Sequence, residues 1–267
     1  MTRVSELMSS PVVSCAARTT LGELATLLAE RGVHGLVVLD ESGAAAGVVS
    51  DTDLLAGEWL ATDEESLAAM RSLTAGELMT SPPVTIDADA PVGDAAALLA
   101  EQRLARLVVV RGGEPVGVLA TSDLVRELGR GHLGRSTVAD VMSHGLVACR
   151  ESATARQAAR LMTDRHARAL VVVRADGRPL GVVTGTDLLP LVGTGSGGRA
   201  VAELMHPPIT IGPGASLREA ADLMLEHEIH RLVVVDPGDP DAVPLGIVAT
   251  TDLAAEMAEP GSVWRSP

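Results

Sequence analysis

Aromatic residues are almost absent: the 267-residue chain has two Trp and neither Phe nor Tyr. Its cores must therefore be built from Val, Leu, Ala and Met. The aromatic platforms on which single-stranded nucleic acid stacks are missing. Positive charge is scarce as well, with 21 Lys and Arg against 35 Asp and Glu, a formal net charge of −14. That balance repels phosphate backbones and anionic membrane surfaces, so neither nucleic acid nor membrane is an expected partner. Two Cys give no disulfide framework and suit a reducing compartment. No apolar run approaches the roughly 20 residues that span a bilayer, and the N-terminus has no signal-peptide core. A soluble, cytoplasmic protein is expected, with 46% hydrophobic residues to fill its cores.

What is present is a stretch that occurs four times: Gly47–Leu54, Gly117–Leu124, Gly181–Leu188 and Gly246–Leu253. Each copy is a glycine, a short apolar run suited to a buried strand, and a hydroxyl-rich turn ending in Asp-Leu. Such a turn can cap a following helix, and it can also hold a sugar and a phosphate. The stretch belongs to a longer repeat. Each unit opens on a short amphipathic turn: Val4–Met8, Ala75–Met79, Val138–Met142 and Val201–Met205, spaced by 71, 63 and 63 residues. A period of that size is a small subdomain rather than a solenoid turn.

Within the first unit, Pro11–Cys15 reads as a short strand. Thr20 caps a helix whose Leu21, Leu24, Leu27 and Leu28 follow the 3.6-residue period, and Gly32 ends it. Leu36–Leu39 is a β-rich run, Glu41–Gly43 a turn, Gly47–Val49 the paired strand, and a helix at Asp53-Leu54 closes the unit. The order is β-α-β-β-α. The other units repeat it, with Leu107–Val110, Leu170–Val173 and Leu232–Val235 as middle strands. The expected organisation is units at 1–57, 75–128, 138–192 and 201–258. A connector at 58–74, carrying Trp59 and an acidic helix start at Thr62–Glu65, separates the first two. A linker at 129–137, a Gly/Ser-rich linker at 193–200 and a tail at 259–267 complete the chain.

A finer symmetry suggests duplication of a two-unit module. Units one and three have a hydroxyl three residues before the Asp, Ser50 and Thr184, where units two and four have Ala120 and Ala249. Units two and four share a Pro-Pro-aliphatic-Thr-Ile opening, Pro82–Ile86 and Pro207–Ile211, and Cys15 and Cys149 hold one equivalent position.

Other patterns carry less. Gly193–Gly198 matches Gly-x-Gly-x-x-Gly but follows a helix with no βαβ unit around it, so it reads as a linker. His227–His230 is one residue short of the helical zinc motif, and the seven His form no metal set. Met8, Met79, Met142 and Met205 read as core packing, and the two Cys as small strand residues. Spacing supports no Ser-His-Asp, Cys-His or paired-carboxylate active site, and no catalytic residue is assigned.

Four β-α-β-β-α units with these turns resemble the cystathionine-β-synthase (CBS) domain family in its tandem pairs, known as Bateman modules. Four features carry the resemblance: the Leu/Val-Met opening, the aliphatic-Thr-Ile strand, the Leu-Val-Val-Val strand and the Gly-x-x-[Ser/Thr]-x-x-Asp turn. They cover the chain from about Val4 to about Met257. The resemblance implies an α+β fold of four units in two pseudo-symmetric modules that pack through their helices. It also implies a regulatory protein without catalysis that binds adenine nucleotides or related adenosyl compounds in clefts between paired units. A partner protein would read the module arrangement, and the modules would close a disc within one chain or in a homodimer.

On that resemblance Asp53 and Asp187 accept bonds from ribose hydroxyls, and Ser50 and Thr184 donate to phosphate. Val13, Ser14, Val147 and Ala148 meet the adenine, largely through backbone groups. Asp123 and Asp252, with Thr85 and Thr210 on the strands before them, are the counterparts in units two and four. There Thr121 and Thr250 replace the missing hydroxyl only if the turn shifts. The Arg that many family members have before the motif Asp is replaced by Thr52, Ser122, Thr186 and Thr251. His34, Arg106, Arg168, His230 and Arg231, just before the middle strands, are candidate substitutes for that cation. The charge of −14 favours AMP or an uncharged adenosyl ligand over ATP, which would need Mg²⁺. No covalent or redox cofactor is expected. A scaffold that keeps the fold but binds no ligand, acting through oligomerisation or protein contacts, is the competing reading.

Overall fold

The computed structural model describes residues 2–59, 72–128, 136–192, 194, 196–239 and 242–259. The expected helix start at Thr62–Glu65, most of the linker at 129–137, Gly193 and Gly195, and the tail from 260 lie outside the described residues.

Four three-stranded sheets, one per repeat, make an α+β fold. In the first, β1 (Ser14–Ala16) runs parallel to β2 (Gly35–Leu39), which pairs antiparallel with β3 (Ala45–Ser50). The crossover from β1 to β2 is helix α1 (Leu21–Arg31), and α2 (Asp51–Trp59) follows β3. The middle strand buries Leu36, Val37 and Val38 in succession, as expected of a strand covered on both faces. Helix α1 starts where Glu23 accepts from the Thr20 N–H at 2.8 Å and its hydroxyl at 2.9 Å, a reciprocal cap. It stops at Gly32, which adopts φ +60°. Arg103, His166 and Glu228 take the same left-handed turn in the other repeats, at φ 53°, 50° and 53°, without glycine's freedom.

The middle strands of the other repeats are Arg106–Arg111, Ala169–Val173 and Arg231–Val234, and the third strands Glu114–Ala120, Pro179–Thr184 and Gly246–Ala249. The helices after the motif turns are Thr121–Leu128, Gly185–Leu188 and Thr250–Ala258.

The chain divides into two compact units. One holds Val13–Pro83 with Val147–Pro208, the other Met1–Val12, Val84–Leu146 and Ile209–Pro267. The first therefore joins repeats 1 and 3, and the second repeats 2 and 4. Each has its own core. Leu24, Leu28 and Leu54 meet Met162, Leu170 and Leu188 in the odd-repeat unit. Leu99, Leu107 and Leu124 meet Met224, Leu232 and Leu253 in the even-repeat unit. Helices join the repeats in both units, and the repeats so joined are alternate ones.

The opening helices each lie in the unit of the neighbouring repeat. Val4–Leu7, the opener of repeat 1, packs in the core of repeat 2; the Val4 N–H donates to Ala90 O at 3.0 Å and Ser9 bridges Val118. Ala75–Leu78, the opener of repeat 2, lies on repeat 1, with the Ala75 N–H donating to Thr19 O at 2.7 Å. Val138–Val141 sits likewise on repeat 4 and Val201–Glu203 on repeat 3. Consecutive repeats thus exchange openers, while alternate repeats pack helices. The motif glycine is where the exchange closes. A Cβ on Gly47 would lie 2.5 Å from Met79 Sδ, and one on Gly117 2.7 Å from Met8 Sδ, so the recurring Met rests on a bare strand backbone. No described helix is long and apolar enough to cross a membrane.

Candidate functional site

The hydroxyl–aspartate turn sits between the third strand and the helix after it, and in every repeat the Asp caps that helix. Asp53 Oδ2 accepts from the Ser50 N–H at 2.8 Å and from its hydroxyl at 2.7 Å. Asp187 Oδ2 takes the same two bonds from Thr184, both at 2.7 Å. Asp123 and Asp252 keep only the backbone bond, from Ala120 at 2.9 Å and Ala249 at 2.7 Å. The hydroxyls expected to donate to phosphate donate here to their own carboxylates.

The cap occupies one carboxylate oxygen, and the second distinguishes the four copies. Asp123 Oδ1 takes Arg126 Nη1 at 3.2 Å. Asp187 Oδ1 lies 2.9 Å from His206 Nε2. Among the described residues, Asp53 Oδ1 and Asp252 Oδ1 have no hydrogen-bond partner. Burial pushes the Asp53 carboxyl above the usual range against the pull of the two Ser50 bonds; the neighbouring Asp51 carboxylate adds to the rise and the Arg168 guanidinium offsets it. Burial raises Asp123 and Asp252 too, countered at Asp252 by the Ala249 N–H and the charge of Arg231. The charge of Arg168, in repeat 3, thus acts on the motif Asp of repeat 1, and that of Arg231 on the motif Asp of its own repeat.

His34 behaves otherwise. Its Nδ1 lies 2.9 Å from Thr186 Oγ1 and 3.3 Å from Asp51 Oδ2, and Thr186 Oγ1 is 3.5 Å from that oxygen. This cluster joins repeats 1 and 3 through His34 Nδ1. Space for it comes from Gly185, the counterpart of Asp51, whose absent Cβ would lie 3.1 Å from Leu55 Cδ1 and 3.7 Å from Asp51 Oδ2. In the even-repeat unit the counterparts are Thr121 and Thr250. Their hydroxyl oxygens are 2.9 Å apart, at residues 4% and 6% exposed. The sequence has them replace the missing phosphate donor only if the turn shifts; here one hydroxyl donates to the other, deep in the contact.

Val13, Ser14, Val147 and Ala148 lie at or just before the first strands, the edge strands of their sheets. The Val13 and Val147 carbonyls accept from Val37 at 3.1 Å and Val171 at 3.0 Å, and alternate backbone groups of an edge strand point outward. Thr85 and Thr210, exposed on their strands, pair in register with Val108 and Val233. Arg106 begins its middle strand opposite Ala120, and the His230 carbonyl accepts from Thr250 at 3.0 Å. His227–His230 occupies a helix end and turn, and the described residues hold no metal-binding group of three or more His, Cys, Asp or Glu. Burial pushes both thiols, Cys15 and Cys149, up to about 11, which makes them poor nucleophiles. Sequence reasoning missed Asp51 and His206. The sign of His206 was legible, since Ser9, Thr80 and Ser143 hold its place after the opener's Met, but its meaning depends on the exchange of openers.

The family model described as CBS domain matches residues 4–58, 75–130, 138–193 and 201–259. An uncharacterized protein of Methanocaldococcus jannaschii is 27% identical over 252 residues, 87% of this chain and 57% of that protein, so the chain spans under two thirds of its length. The CBS domain-containing protein YhcV of Bacillus subtilis is 34% identical over 125 residues, 46% of this chain and 86% of its own. Among solved structures, protein MJ1225 of M. jannaschii superposes with a TM-score of 0.84 at 20% identity, covering 95% of this chain and 99% of that one, a likeness of fold. The chain belongs to the CBS domain family and carries four CBS units.

Proposed function

We propose that this protein is a regulatory sensor of an adenosyl ligand, without catalysis of its own, and that repeats 1 and 3 hold the binding turns. One observation carries the reading. The Asp53 carboxylate is half spent on its cap and half without a partner among the described residues, in a setting that penalises its charge. A half-buried acceptor left so is under-satisfied, and a vicinal diol supplies the missing donors. The Ser50 hydroxyl beside it can turn from the cap to a phosphate, and Arg168 brings the one nearby positive charge acting on Asp53. The net charge of −14 favours a nucleoside monophosphate over a triphosphate. Repeats 2 and 4 serve as structure, since alanine replaces the motif hydroxyl and the next threonines are closed on each other. Ligand occupancy would bias the arrangement of the units, and a protein partner would read that bias; this requires different affinities for the two arrangements.

The test is a thermal-shift panel of AMP, ADP, ATP with and without Mg²⁺, S-adenosylmethionine and NAD, run beside Asp53→Asn, whose amide oxygen still accepts the cap. A ligand at 100 times its dissociation constant adds about 2.7 kcal/mol, a rise of roughly 5–10 °C for a chain of this size. A rise with one adenosyl compound, reduced in Asp53→Asn, supports the reading. A flat response from folded protein moves the assignment to a ligand-free scaffold.

A further inference from the structure

We propose that His206 makes repeat 3 selective for phosphorylated over uncharged adenosyl ligands, whereas repeat 1 accepts both. The inference rests on the adenosyl reading of the same turns and assigns a role to a residue outside the family motif.

His206 is delivered on a rigid mount. It follows Met205 on the opener that repeat 4 lends to repeat 3. Its N–H donates to Val182 O and its carbonyl accepts from the Val182 N–H, both at 2.9 Å, while Met205 Sδ packs where a Cβ on Gly181 would stand, 2.7 Å away. The side chain is a different matter. It is 73% exposed, against 14% for the Asp187 carboxylate it touches. A carboxylate only accepts, so Nε2 carries the proton and donates to Oδ1 at 2.9 Å. With Thr184 making two bonds to Oδ2 and His206 one to Oδ1, Asp187 meets a sugar with both oxygens already engaged, unlike Asp53.

A diol that takes Asp187 Oδ1 therefore competes with the imidazole for it. The backbone cannot follow, so the ring turns about its own side-chain bonds. Its N–H stays within a side chain's reach of the carboxylate, beside whatever the bound sugar carries. A phosphate there accepts that N–H in a charge-assisted bond and restores what Asp187 gave up. An uncharged nucleoside restores nothing. In repeat 1 the position is Thr80, and Asp53 Oδ1 has no hydrogen-bond partner to displace among the described residues. Histidine occurs after the opener's Met in this one repeat, with Ser9, Thr80 and Ser143 in the others. The asymmetry is thus built into one residue.

Isothermal titration with adenosine and with AMP tests this, using the full chain carrying Asp53→Asn so that repeat 1 is silenced and its helix cap kept. AMP should bind roughly tenfold tighter than adenosine or better, the size of one charge-assisted hydrogen bond. Adding His206→Ala should tighten adenosine and weaken AMP, bringing the ratio towards one; His206→Gln, which keeps bulk and an N–H donor, should fall between. The converse protein, Asp187→Asn with Thr80→His, should carry the preference to repeat 1. A ratio unmoved by His206→Ala overturns the proposal. Wild-type protein that binds while Asp53→Asn binds neither ligand also overturns it, by showing that repeat 3 is no site, yet leaves the sensor reading standing. Wild-type protein that binds neither ligand, nor any other compound of the panel, ends both.

Discussion

The two units solve one packing problem in opposite ways. Each brings two motif helices together at their first residues. The even-repeat unit meets there as Thr121 against Thr250, a symmetric, buried hydroxyl pair. The odd-repeat unit meets as Asp51 against Gly185, with His34 and Thr186 gathered around the carboxylate. Where the contact is symmetric, the residue before it is alanine and the motif Asp keeps only the backbone bond of its cap. Where it is broken, the motif hydroxyls Ser50 and Thr184 persist. Duplication supplied four equivalent turns, and divergence at the contact separates the pair that holds the fold from the pair proposed to hold a ligand.

The sharpest way to break this contrast is Thr121→Asp. It buries a carboxylate against Thr250 with no counterpart of His34, since Ala105 stands there, and should cost about 3–5 kcal/mol in urea unfolding. Thr121→Asp with Thr250→Gly, the odd-unit arrangement, should recover part of that loss; no recovery would show that the two contacts are not interchangeable. Next in size is Thr121→Val, which leaves the Thr250 hydroxyl buried without a partner and should cost about 1–3 kcal/mol, whereas the Thr121→Val/Thr250→Val double variant should be close to neutral. Simple additivity in that cycle would deny the hydroxyl pair its role.

A smaller effect separates the repeats by backbone. Replacing Glu228, Arg103 or His166 with Gly relieves a left-handed turn that Gly32 already occupies in repeat 1, and each should add about 0.5–1 kcal/mol by chemical denaturation. The corresponding Gly32→Ala should lose a similar amount.

The smallest effect is in pH. Burial raises Asp53, Asp123 and Asp252 in the folded state, so the folded protein holds those protons more tightly than the unfolded chain. Their contribution to stability is full below the ordinary aspartate value and is lost as pH rises through the raised one. The exposed capping groups Glu23, Glu77 and Asp140 are lowered by their bonds to Thr20, Thr74 and Thr137. They act oppositely, their stability being lost as pH falls through the lowered values. Asp252→Asn keeps an acceptor for Ala249 and should leave Tm at pH 7 the same or higher, while flattening the part of the Tm–pH curve that lies above the ordinary aspartate value. A fall in Tm at neutral pH would mean that the cap outweighs burial.

Much of this was legible from local chemistry. The strand–helix order, the Thr20 cap and the Gly32 stop depend on residues within a few positions of one another, and they stand as read. The motif turn was legible as a cap, and the cap is what the carboxylates do in every copy. The long-range contacts were hidden. Thr121 meets Thr250 and His34 meets Thr186 across 129 and 152 residues, and no periodicity links such pairs. The left-handed turns at Arg103, His166 and Glu228 were masked because residues that disfavour that conformation occupy them. The recurring Met did read as packing, but the sheet it packs on belongs to the neighbouring repeat.

That exchange of openers makes the gene divisible only in twos. A chain cut after residue 74 would keep Val4–Met8 with no sheet to lie on, and a strand at Gly47 stripped of Met79. A cut after the second repeat leaves both loans repaid within the fragment. Shuffling that gains or discards one repeat would therefore strand an opener.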